Sequence, residues 1–400
     1  MKRVYPEPTP VAKPVARNFA AELDELCREK VAELVQSYLE AEVDELLHRV
    51  RYGRRDAGGP TGHRDGHDPW RTITTSIGPI PIRRPRVRGA AHESSLIPKF
   101  RRRLPQIDKT VHQLWIEGLA HRDFEPTLRG LLGEQAPLSP STISRVNAEF
   151  RSEFATWKSR RLDTERFVYL WADGVHLGAG PADERRVLLV VIGADPNGRK
   201  HLVALDDAMS ESELSWSEVF ADLKKRGMQA PKLMIADGAN GLWAAAIEAF
   251  PTTAQQRCWI HKMRNVVDKV PKRLQLAVRK ELAAIMYAED PSTARSGIEQ
   301  LARSLQRDYP KAANCIRDDV DRMLAYYDFP KASWKNLRTT NPIESVFSSV
   351  RLRTDAARRL RSGASATYLV YALIKRLSAT WRRIDGYETI AGTLAAAQAA

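Results

Sequence analysis

Cysteine, long apolar runs and phosphate-binding loops are scarce or absent in this sequence, and each shortage excludes a class of protein. The three cysteines, Cys27, Cys258 and Cys315, are too few and too scattered for a disulfide framework and fit a reducing compartment. The longest apolar run, Val187–Ala194, is far shorter than the roughly 20 residues that a membrane-spanning helix needs. The first residues lack the apolar core of a secretory signal. No G-x-x-x-x-G-K or G-x-S-x-G motif supports an ATP-driven motor or a hydrolase with a nucleophile elbow.

Acidic residues are outnumbered by basic ones. The 63 Lys and Arg against 49 Asp and Glu give a formal net charge of +14 and a pI near 9.7. Hydrophobic residues make up 43% and charged residues 28%, which is the composition of a globular protein and not of a disordered one. At about 150 residues per domain, the length predicts two to three domains. The positive excess favours a polyanionic partner, most simply nucleic acid.

The basic residues are concentrated in two stretches. Residues 83–103 hold eight Lys or Arg against one acid, and residues 351–361 hold five Arg against one acid. Such runs concentrate positive potential and attract phosphates, although a solvated loop without a ligand is the alternative. Together with one arginine of a predicted helix described below, the DNA-binding candidates are Arg83, Arg84, Arg86, Arg88, Arg101, Arg102, Arg103, Arg145, Arg351, Arg353, Arg358 and Arg359.

Apolar periodicity organises the first hundred residues. Residues 1–15 are Pro-rich and are predicted to form an extended arm. Residues 18–50 carry apolar side chains at three- and four-residue steps, which predicts a helix whose apolar stripe either covers the next region or forms a dimer seam. Residues 51–69 are predicted to be loop. The alternation of Thr and Ile from Arg71 to Ile82, around a Gly-Pro break, predicts a β-hairpin.

Residues 105–155 are predicted to form three helices. The third begins at Ser139-Pro140, where a Ser N-cap followed by Pro at the first helical position is a strong start signal, and it carries Arg145. Three short helices with a polar third member resemble a helix-turn-helix unit. The alternative is an ordinary three-helix packing module.

From Arg166 onward, strand-like segments alternate with helical ones in the order β-β-β-α-β-α-β. This order predicts a mixed sheet covered by helices, of the α+β or α/β class, and matches the ribonuclease-H-like arrangement of nucleic-acid phosphoryl-transfer enzymes. Residues 271–329 are predicted to be wholly helical and to form an insertion before the chain returns at Arg338. The predicted strands are 167–175, 186–194, 200–206, 232–236 and 254–259, and the predicted helices among them are 213–226 and 242–250.

Three acids stand at informative points of this pattern: Asp173 at the end of the first strand, Asp237 just after the fourth, and Glu344 in Asn341-Pro342-Ile343-Glu344. Each has a simpler explanation, since Asp-Gly is common in turns and Asn, Pro and Glu at this spacing form a capping box. In such a sheet, however, the first and fourth strands are neighbours, which brings the acids together. Converging carboxylates repel one another unless they bind metal or stay protonated, and oxygen-only ligands suit Mg²⁺ or Mn²⁺.

Through these acids and the basic runs around them, the sequence resembles the Mutator-type DDE transposases of bacterial insertion sequences. The most specific block is Arg338-Thr339-Thr340-Asn341-Pro342-Ile343-Glu344, followed by the basic run at 351–361; the next is Asp237-Gly238 followed by Gln256-Arg257-Cys258-Trp259-Ile260-His261-Lys262. The resemblance implies a ribonuclease-H-like catalytic domain interrupted by a helical insertion. It also implies a catalytic triad of Asp173, Asp237 and Glu344 that holds Mg²⁺ or Mn²⁺, with His261 beside the active site.

The chain is accordingly divided into six regions. These are an N-terminal arm and helix (1–50), a basic loop and β-hairpin (51–104), a helix-turn-helix-like DNA-binding region (105–160), the first part of the catalytic core (161–270), the helical insertion (271–332), and the last part of the core with the C-terminal helices (333–400).

The resemblance implies a transposase that binds the terminal inverted repeats of an insertion sequence and catalyses Mg²⁺-dependent phosphodiester hydrolysis and strand transfer. The expected partners are double-stranded DNA, as terminal repeats and as target, and at least one further copy of the chain, because two element ends must be joined. The expected location is the bacterial cytoplasm, at the nucleoid. Two alternatives remain at this point: a catalytically inactive DNA-binding regulator derived from a transposase, and a Mg²⁺-dependent nuclease without strand transfer.

Overall fold

The computed structural model of the chain describes residues 19–55, 57–98, 101–116, 119, 124–132, 140–176, 187–356 and 363–390. They group into two compact units, one up to Trp115 and from Leu119 to Val146, the other from Ile116 to Gly118 and from Asn147 onward. The predicted arm at 1–15 and the candidates Arg358 and Arg359 lie outside the described residues. No helix within the described ranges is both long enough and apolar enough to cross a lipid bilayer.

The first unit packs one long helix on a small β-hairpin. Its elements are α1 (Phe19–Leu47), β1 (His63–His67), β2 (Arg71–Thr75), β3 (Gly78–Ile82), β4 (Pro85–Arg88), α2 (Pro105–Ile116) and α3 (Phe124–Leu132). The predicted hairpin is confirmed: β2 and β3 pair antiparallel with Arg71 opposite Ile82. Val35 and Leu39 of α1 pack on isoleucines of the hairpin, so the C-terminal half of the α1 stripe covers this sheet.

One prediction for this unit is wrong. Residues 51–69 are not entirely loop, because β1 lies within them and pairs antiparallel with β4. The strand reads His-Arg-Asp-Gly-His and has no apolar alternation, so its backbone hydrogen bonds to β4 define it where its side chains give no strand signal.

Three helices occupy the region predicted for them. They are α2, α3 and α4 (Pro140–Ser159), and α4 begins at the predicted Pro140. Pro is well placed in a first helical turn because its missing N–H would be unpaired there in any residue. The residues of α4 are divided between the two units after Val146.

The second unit is built on a five-stranded mixed sheet in the order β7-β6-β5-β8-β9. β5 (Tyr169–His176), β6 (Val187–Ala194) and β7 (Lys200–Ala208) are antiparallel neighbours, and β8 (Leu233–Ala236) and β9 (Ala254–Arg257) continue the sheet in parallel on the other side of β5. The predicted order of strands and helices is confirmed, and so is the adjacency of the first and fourth strands. The uninterrupted apolar sequence of β6 fits its position inside the sheet, buried on both faces.

Helices cover both faces of this sheet. Side chains alternate along β5, so Trp171 enters one core and Ala172 the other. The Ala172 face is covered by α5 (Glu213–Lys225) and α6 (Asn240–Ala249). The Trp171 face is covered by the remaining helices, which are α7 (Trp259–Val267), α8 (Lys272–Met286), α9 (Pro291–Gln306), α10 (Pro310–Arg317), α11 (Val320–Leu324), α12 (Trp334–Leu337), α13 (Asn341–Ala356) and α14 (Gly363–Ser378).

The predicted helical stretch at 271–329 is confirmed as α8 to α11 followed by a 3₁₀ turn at Ala325–Asp328. Its apolar side chains, such as Leu282, Ile298 and Ile316, join the core of the Trp171 face. The predicted fifth strand is too long, because β9 ends at Arg257 and Trp259 begins α7.

Candidate active site

Asp173 lies on the central strand of the five-stranded sheet. It is not the last residue of β5, as predicted, because the strand continues to His176. Asp173 is only 7% exposed, and its Oδ1 accepts a hydrogen bond of 2.9 Å from the backbone N–H of Gly174. The carboxyl group is therefore fixed at a position that is almost closed to bulk water.

The register of two parallel strands places Asp237 next to Asp173. Ala172 of β5 pairs with Ala236 of β8, and each aspartate is the following residue. Parallel neighbours lie about 4.8 Å apart, so the two side chains leave the sheet at the same edge. The Oδ1 of Asp237 accepts a hydrogen bond of 2.9 Å from the N–H of Ala239, which orients the turn into α6.

A sharp turn after Asp237 brings the Arg257 guanidinium against Gly238. Gly238 has a φ of +98°, and the position of a Cβ there would lie 2.2 Å from Nη1 of Arg257. The same guanidinium binds Asp319 at 2.7 Å and donates to the Gly238 carbonyl at 3.3 Å. Because a side chain at 238 would displace it, this turn requires glycine both for its backbone angle and for the close approach of Arg257.

Glu344 is in the first turn of α13, but it does not complete the capping box that its sequence suggests. The N–H groups of Ile343 and Glu344 donate to the Thr340 carbonyl, so Thr340 rather than Asn341 begins the helical hydrogen bonding. The Thr340 hydroxyl donates to Oε1 of Glu344 at 2.8 Å. A hydroxyl group thus orients the carboxylate of Glu344, whose side chain is 34% exposed.

Cys258 and His261 complete a small cluster around Thr340. The Thr340 N–H donates to the buried Cys258 Sγ at 3.3 Å, the Thr340 Oγ1 lies 3.2 Å from the same sulfur, and burial raises the pKa of the thiol. Nδ1 of His261 lies 3.4 Å from the Thr340 hydroxyl and 3.6 Å from Oε1 of Glu344. The sulfur, the imidazole nitrogen and the carboxylate oxygen lie within 4.8 Å of one another.

Glu211 is a further acid whose charge acts on Asp173, and the sequence analysis held no expectation for it. Burial, and then the negative charges of Asp237, Glu211 and Glu344, raise the pKa of Asp173 to about 8. Burial and the charge of Asp237 also raise the pKa of Glu211. Glu211 follows β7 just before α5 begins, so an acid between the third strand and the next helix was the signal that could have found it.

Asp173, Asp237 and Glu211 act on one another electrostatically, but among the described residues the group whose ligand atoms all lie within 4.8 Å is Cys258, His261 and Glu344. Several acids share one poorly solvated region, and the repulsion among them disfavours the fully ionised state. A hard dication reverses that preference, and an all-oxygen donor set matches Mg²⁺ or Mn²⁺. Zinc would favour the sulfur and imidazole of Cys258 and His261, where the Thr340 hydroxyl already contacts each donor.

The candidate arginines of the first unit differ in exposure. Arg86, Arg88, Arg101 and Arg102 are exposed, while Arg83 is half-buried against the Trp70 ring. Arg84 and Arg103 are 7% and 8% exposed, and Arg103 forms an ion pair of 3.1 Å with Asp108. In the second unit Arg351 is exposed on α13, seven residues after Glu344 and hence on the same side of the helix. The side chains of Arg145 and Arg353 lie outside the described part of the structure.

Comparison with known proteins gives consistent matches. A family model described as "Transposase, Mutator family" matches residues 11–384. The chain is 41% identical over 278 residues, 70% of its length and 86% of the relative's, to the transposase for insertion sequence element IS6120 of Mycolicibacterium smegmatis. It is 37% identical over 271 residues, 67% of its length and 91% of the relative's, to the transposase for insertion sequence element IST2 of Acidithiobacillus ferrooxidans. A transposase for element ISRM5 of Rhizobium meliloti is 26% identical over 362 residues, 90% of this chain and 89% of the relative.

Proposed function

Since the chain belongs to the Mutator family of transposases, we propose that it cleaves and joins DNA at the ends of an insertion sequence, with Asp173, Asp237 and Glu344 as its divalent-metal triad. The observation that carries this proposal is the register between β5 and β8, which sets two aspartates side by side at one sheet edge. The coupling of Glu344 to the buried Asp173 supports the third member. We further propose that the sheet is ribonuclease-H-like, in keeping with its strand order.

The reaction consists of two displacements at phosphorus. In the first, water attacks the phosphodiester at the element end, the bond from phosphorus to the 3′ oxygen breaks, and a free 3′-hydroxyl is left. In the second, that 3′ oxygen attacks a phosphodiester of the target DNA, and the target's 3′ oxygen leaves. Asp173, Asp237 and Glu344 would hold a divalent cation, which would supply Lewis acidity to the attacking and leaving oxygens.

The residues of the chain hold and orient this chemistry. Asp173 on β5 and Asp237 directly after β8 would provide adjacent cation ligands, and Glu344 would provide one from the first turn of α13. His261, 3.6 Å from Glu344, is placed to meet the DNA phosphate or to exchange a proton beside it. Arg351, on the same side of α13 as Glu344, is placed to bind a DNA phosphate.

DNA binding is proposed for the exposed arginines of the first unit and for α2 to α4. The exposed arginines Arg86, Arg88, Arg101 and Arg102 form a basic stretch, and α2 to α4 would act as a helix-turn-helix-like region that binds the terminal repeats. Because two element ends must be joined, the active form on DNA is a dimer or a larger assembly.

The triad is tested with Asp173→Asn, Asp237→Asn and Glu344→Gln. The substrate is DNA that carries the element ends, with Mg²⁺, and cleavage and joining are followed separately. Each variant should cleave about 10³-fold more slowly, the equivalent of the several kcal/mol that metal stabilisation supplies, while it retains DNA affinity. Glu248→Gln on the exposed face of α6 is the matched control and should behave as wild type.

The outcomes separate the alternatives. Full activity in Asp173→Asn would refute the assigned triad. Cleavage without joined products in the wild-type protein would identify a nuclease, and binding without cleavage would identify a regulator.

The proposed binding of DNA phosphates by the exposed arginines is tested by the salt dependence of DNA affinity. Arg86→Ala and Arg88→Ala should each reduce the slope of log K against log[salt] by about 0.9 if each arginine binds one phosphate. The matched control is Arg303→Ala on α9, whose guanidinium pairs with Glu299. An unchanged slope in the Arg86 and Arg88 variants would contradict the assignment.

A further inference from the structure

We propose that Cys258, His261 and Glu344 form a second metal site, which binds Zn²⁺ or a similar thiophilic dication and thereby withdraws Glu344 from the catalytic triad. The binding part of this inference stands on the geometry of the side chains. The inhibition that follows from it rests on the proposed function, because it concerns a residue of the same active site.

Three donor atoms of the kinds that zinc prefers converge at the start of α13. The sulfur of Cys258, a ring nitrogen of His261 and a carboxylate oxygen of Glu344 all lie within 4.8 Å of one another. Thiolate sulfur, imidazole nitrogen and carboxylate oxygen are the ligands that Zn²⁺ takes in proteins. This mixed donor set therefore differs in its metal preference from the all-oxygen triad, which suits Mg²⁺.

The Thr340 hydroxyl lies at the fourth corner of this group. Its Oγ1 is 3.2 Å from Sγ of Cys258, 3.4 Å from Nδ1 of His261 and 2.8 Å from Oε1 of Glu344. Nδ1 and Oε1 are themselves 3.6 Å apart. A tetrahedral ion with bonds of about 2.0–2.3 Å holds its ligand atoms about 3.3–3.7 Å from one another. The four donors thus outline a tetrahedral cage, in which the hydroxyl, or a water in its place, completes the coordination.

Two helix starts hold the four donors. Cys258 is the N-cap residue of α7, and His261 is in the first turn, three residues later and hence on the same side. Thr340 directly precedes α13, whose first turn carries Glu344. The N–H of Thr340 donates to the sulfur of Cys258 at 3.3 Å, which ties the two helix starts together. The cage is therefore built from packed elements that lie far apart in the chain.

The cage is closed on the sulfur side and open on the other. Cys258 is fully buried, whereas the side chains of His261 and Glu344 are 22% and 34% exposed. A cation therefore enters past the imidazole and the carboxylate and meets the sulfur at the bottom. As the bond from sulfur to metal forms, the thiol proton passes to solvent, and His261 binds as the neutral imidazole.

Occupation of this cage conflicts with the proposed chemistry. An ion bound to Cys258 and His261 takes the Glu344 carboxylate as its third ligand, and the triad loses an acid that would hold Mg²⁺. It also takes His261, which the proposed reaction places beside the DNA phosphate. Zn²⁺ should consequently inhibit DNA cleavage through a sulfur-dependent site, and Mg²⁺ should not compete there, because it has little affinity for thiolate.

Binding is tested with the absorption spectrum of Co²⁺ added to the full, metal-free chain without DNA. Tetrahedral Co²⁺ with a thiolate ligand gives strong visible bands and a sulfur-to-metal charge-transfer band in the near ultraviolet, and added Zn²⁺ should remove both. We expect one such Co²⁺ per chain in wild type, and about tenfold or weaker binding in Cys258→Ser and His261→Gln. Cys27→Ser and Cys315→Ser, which remove the other free thiols, are the matched controls and should keep the spectrum.

Two results would overturn the site. One is a folded wild-type chain that gives no thiolate band, and the other is a Cys258→Ser variant that gives the wild-type spectrum. Because Cys258 is buried, its variant could fail to fold; His261→Gln changes a partly exposed side chain instead, and an unchanged Co²⁺ affinity in that variant would equally overturn the site.

The inhibition is tested by adding Zn²⁺ to Mg²⁺-dependent cleavage of DNA that carries the element ends. Zn²⁺ should inhibit wild type and Cys315→Ser, and at least tenfold more Zn²⁺ should be needed to inhibit Cys258→Ser. Equal inhibition of all three would mean that Zn²⁺ acts elsewhere, and would overturn the capture of Glu344. The Co²⁺ spectrum needs no DNA, so a Cys258-dependent spectrum in a chain that cleaves no DNA would support the metal site while refuting the proposed function.

Discussion

Asp173→Asn should abolish the Mg²⁺-dependent activity and at the same time make the metal-free protein more stable at neutral pH. Burial and the neighbouring acids raise the pKa of Asp173 from its ordinary 3.8 to about 8. Between these values the unfolded chain has released the proton that the folded chain still holds, so the free energy of unfolding falls as pH rises. Each pH unit in this window lowers the free energy of unfolding by about 1.4 kcal/mol.

The size of the destabilisation follows from the interval between the ordinary pKa of Asp173 and its pKa in the folded protein. At pH 7 the accumulated penalty is about 4 kcal/mol, and near pH 4 it is below about 1 kcal/mol, because the pH is then close to the ordinary pKa of the unfolded carboxyl. An asparagine bears no such penalty and keeps an oxygen for the Gly174 N–H. For a unit of this size, with about 2–4 °C per kcal/mol, the melting temperature of the variant at pH 7 should exceed that of wild type by about 10 °C.

The assay is thermal unfolding of the metal-free proteins from pH 4 to pH 8, with and without Mg²⁺. Asp268→Asn is the matched control, since the same substitution at an exposed position should leave the melting curve unchanged. Mg²⁺ should raise the melting temperature of wild type and have little effect on Asp173→Asn. The variant could instead melt at or below the wild-type temperature at pH 7, or the difference between the two melting temperatures could stay constant with pH. Either result would refute the claim that burial and the neighbouring acids destabilise the ionised carboxylate of Asp173.

Two further substitutions probe the surroundings of the triad. Gly238→Ala should destabilise the protein by about 1–3 kcal/mol in thermal unfolding, because of its positive φ and because Arg257 must move away from the new Cβ; Gly130→Ala, on α3 with no atom within 4 Å of its new Cβ, should instead be neutral or stabilising by up to about 1 kcal/mol. Thr340→Val should slow DNA joining about 10- to 100-fold, as loss of a ligand-orienting group does, because Glu344 loses its 2.8 Å hydrogen bond. Thr340→Ser should restore the rate, and equal rates in the valine and serine variants would show that the hydroxyl has no role.

Local pattern was enough to predict much of the second unit. The unbroken apolar run of β6 predicted a buried strand, and apolar spacing in 271–329 predicted the helices that join the core. The adjacency of the first and fourth strands also followed from the order of elements, so Asp173 and Asp237 were expected to meet before their register was known. A polar strand such as β1 gave no such signal, because its pairing with β4 defines it.

The sequence by itself determined which segments become strands and helices and which acids end near one sheet edge, because periodicity and chain order are properties of neighbouring residues. Only the tertiary structure decided that Glu211 reaches the space beside Gly174 and that the Thr340 hydroxyl, rather than a capping box, orients Glu344. Those positions depend on how helices from opposite faces pack against one strand. The packing brings together residues far apart in the chain, and no local pattern encodes their distances.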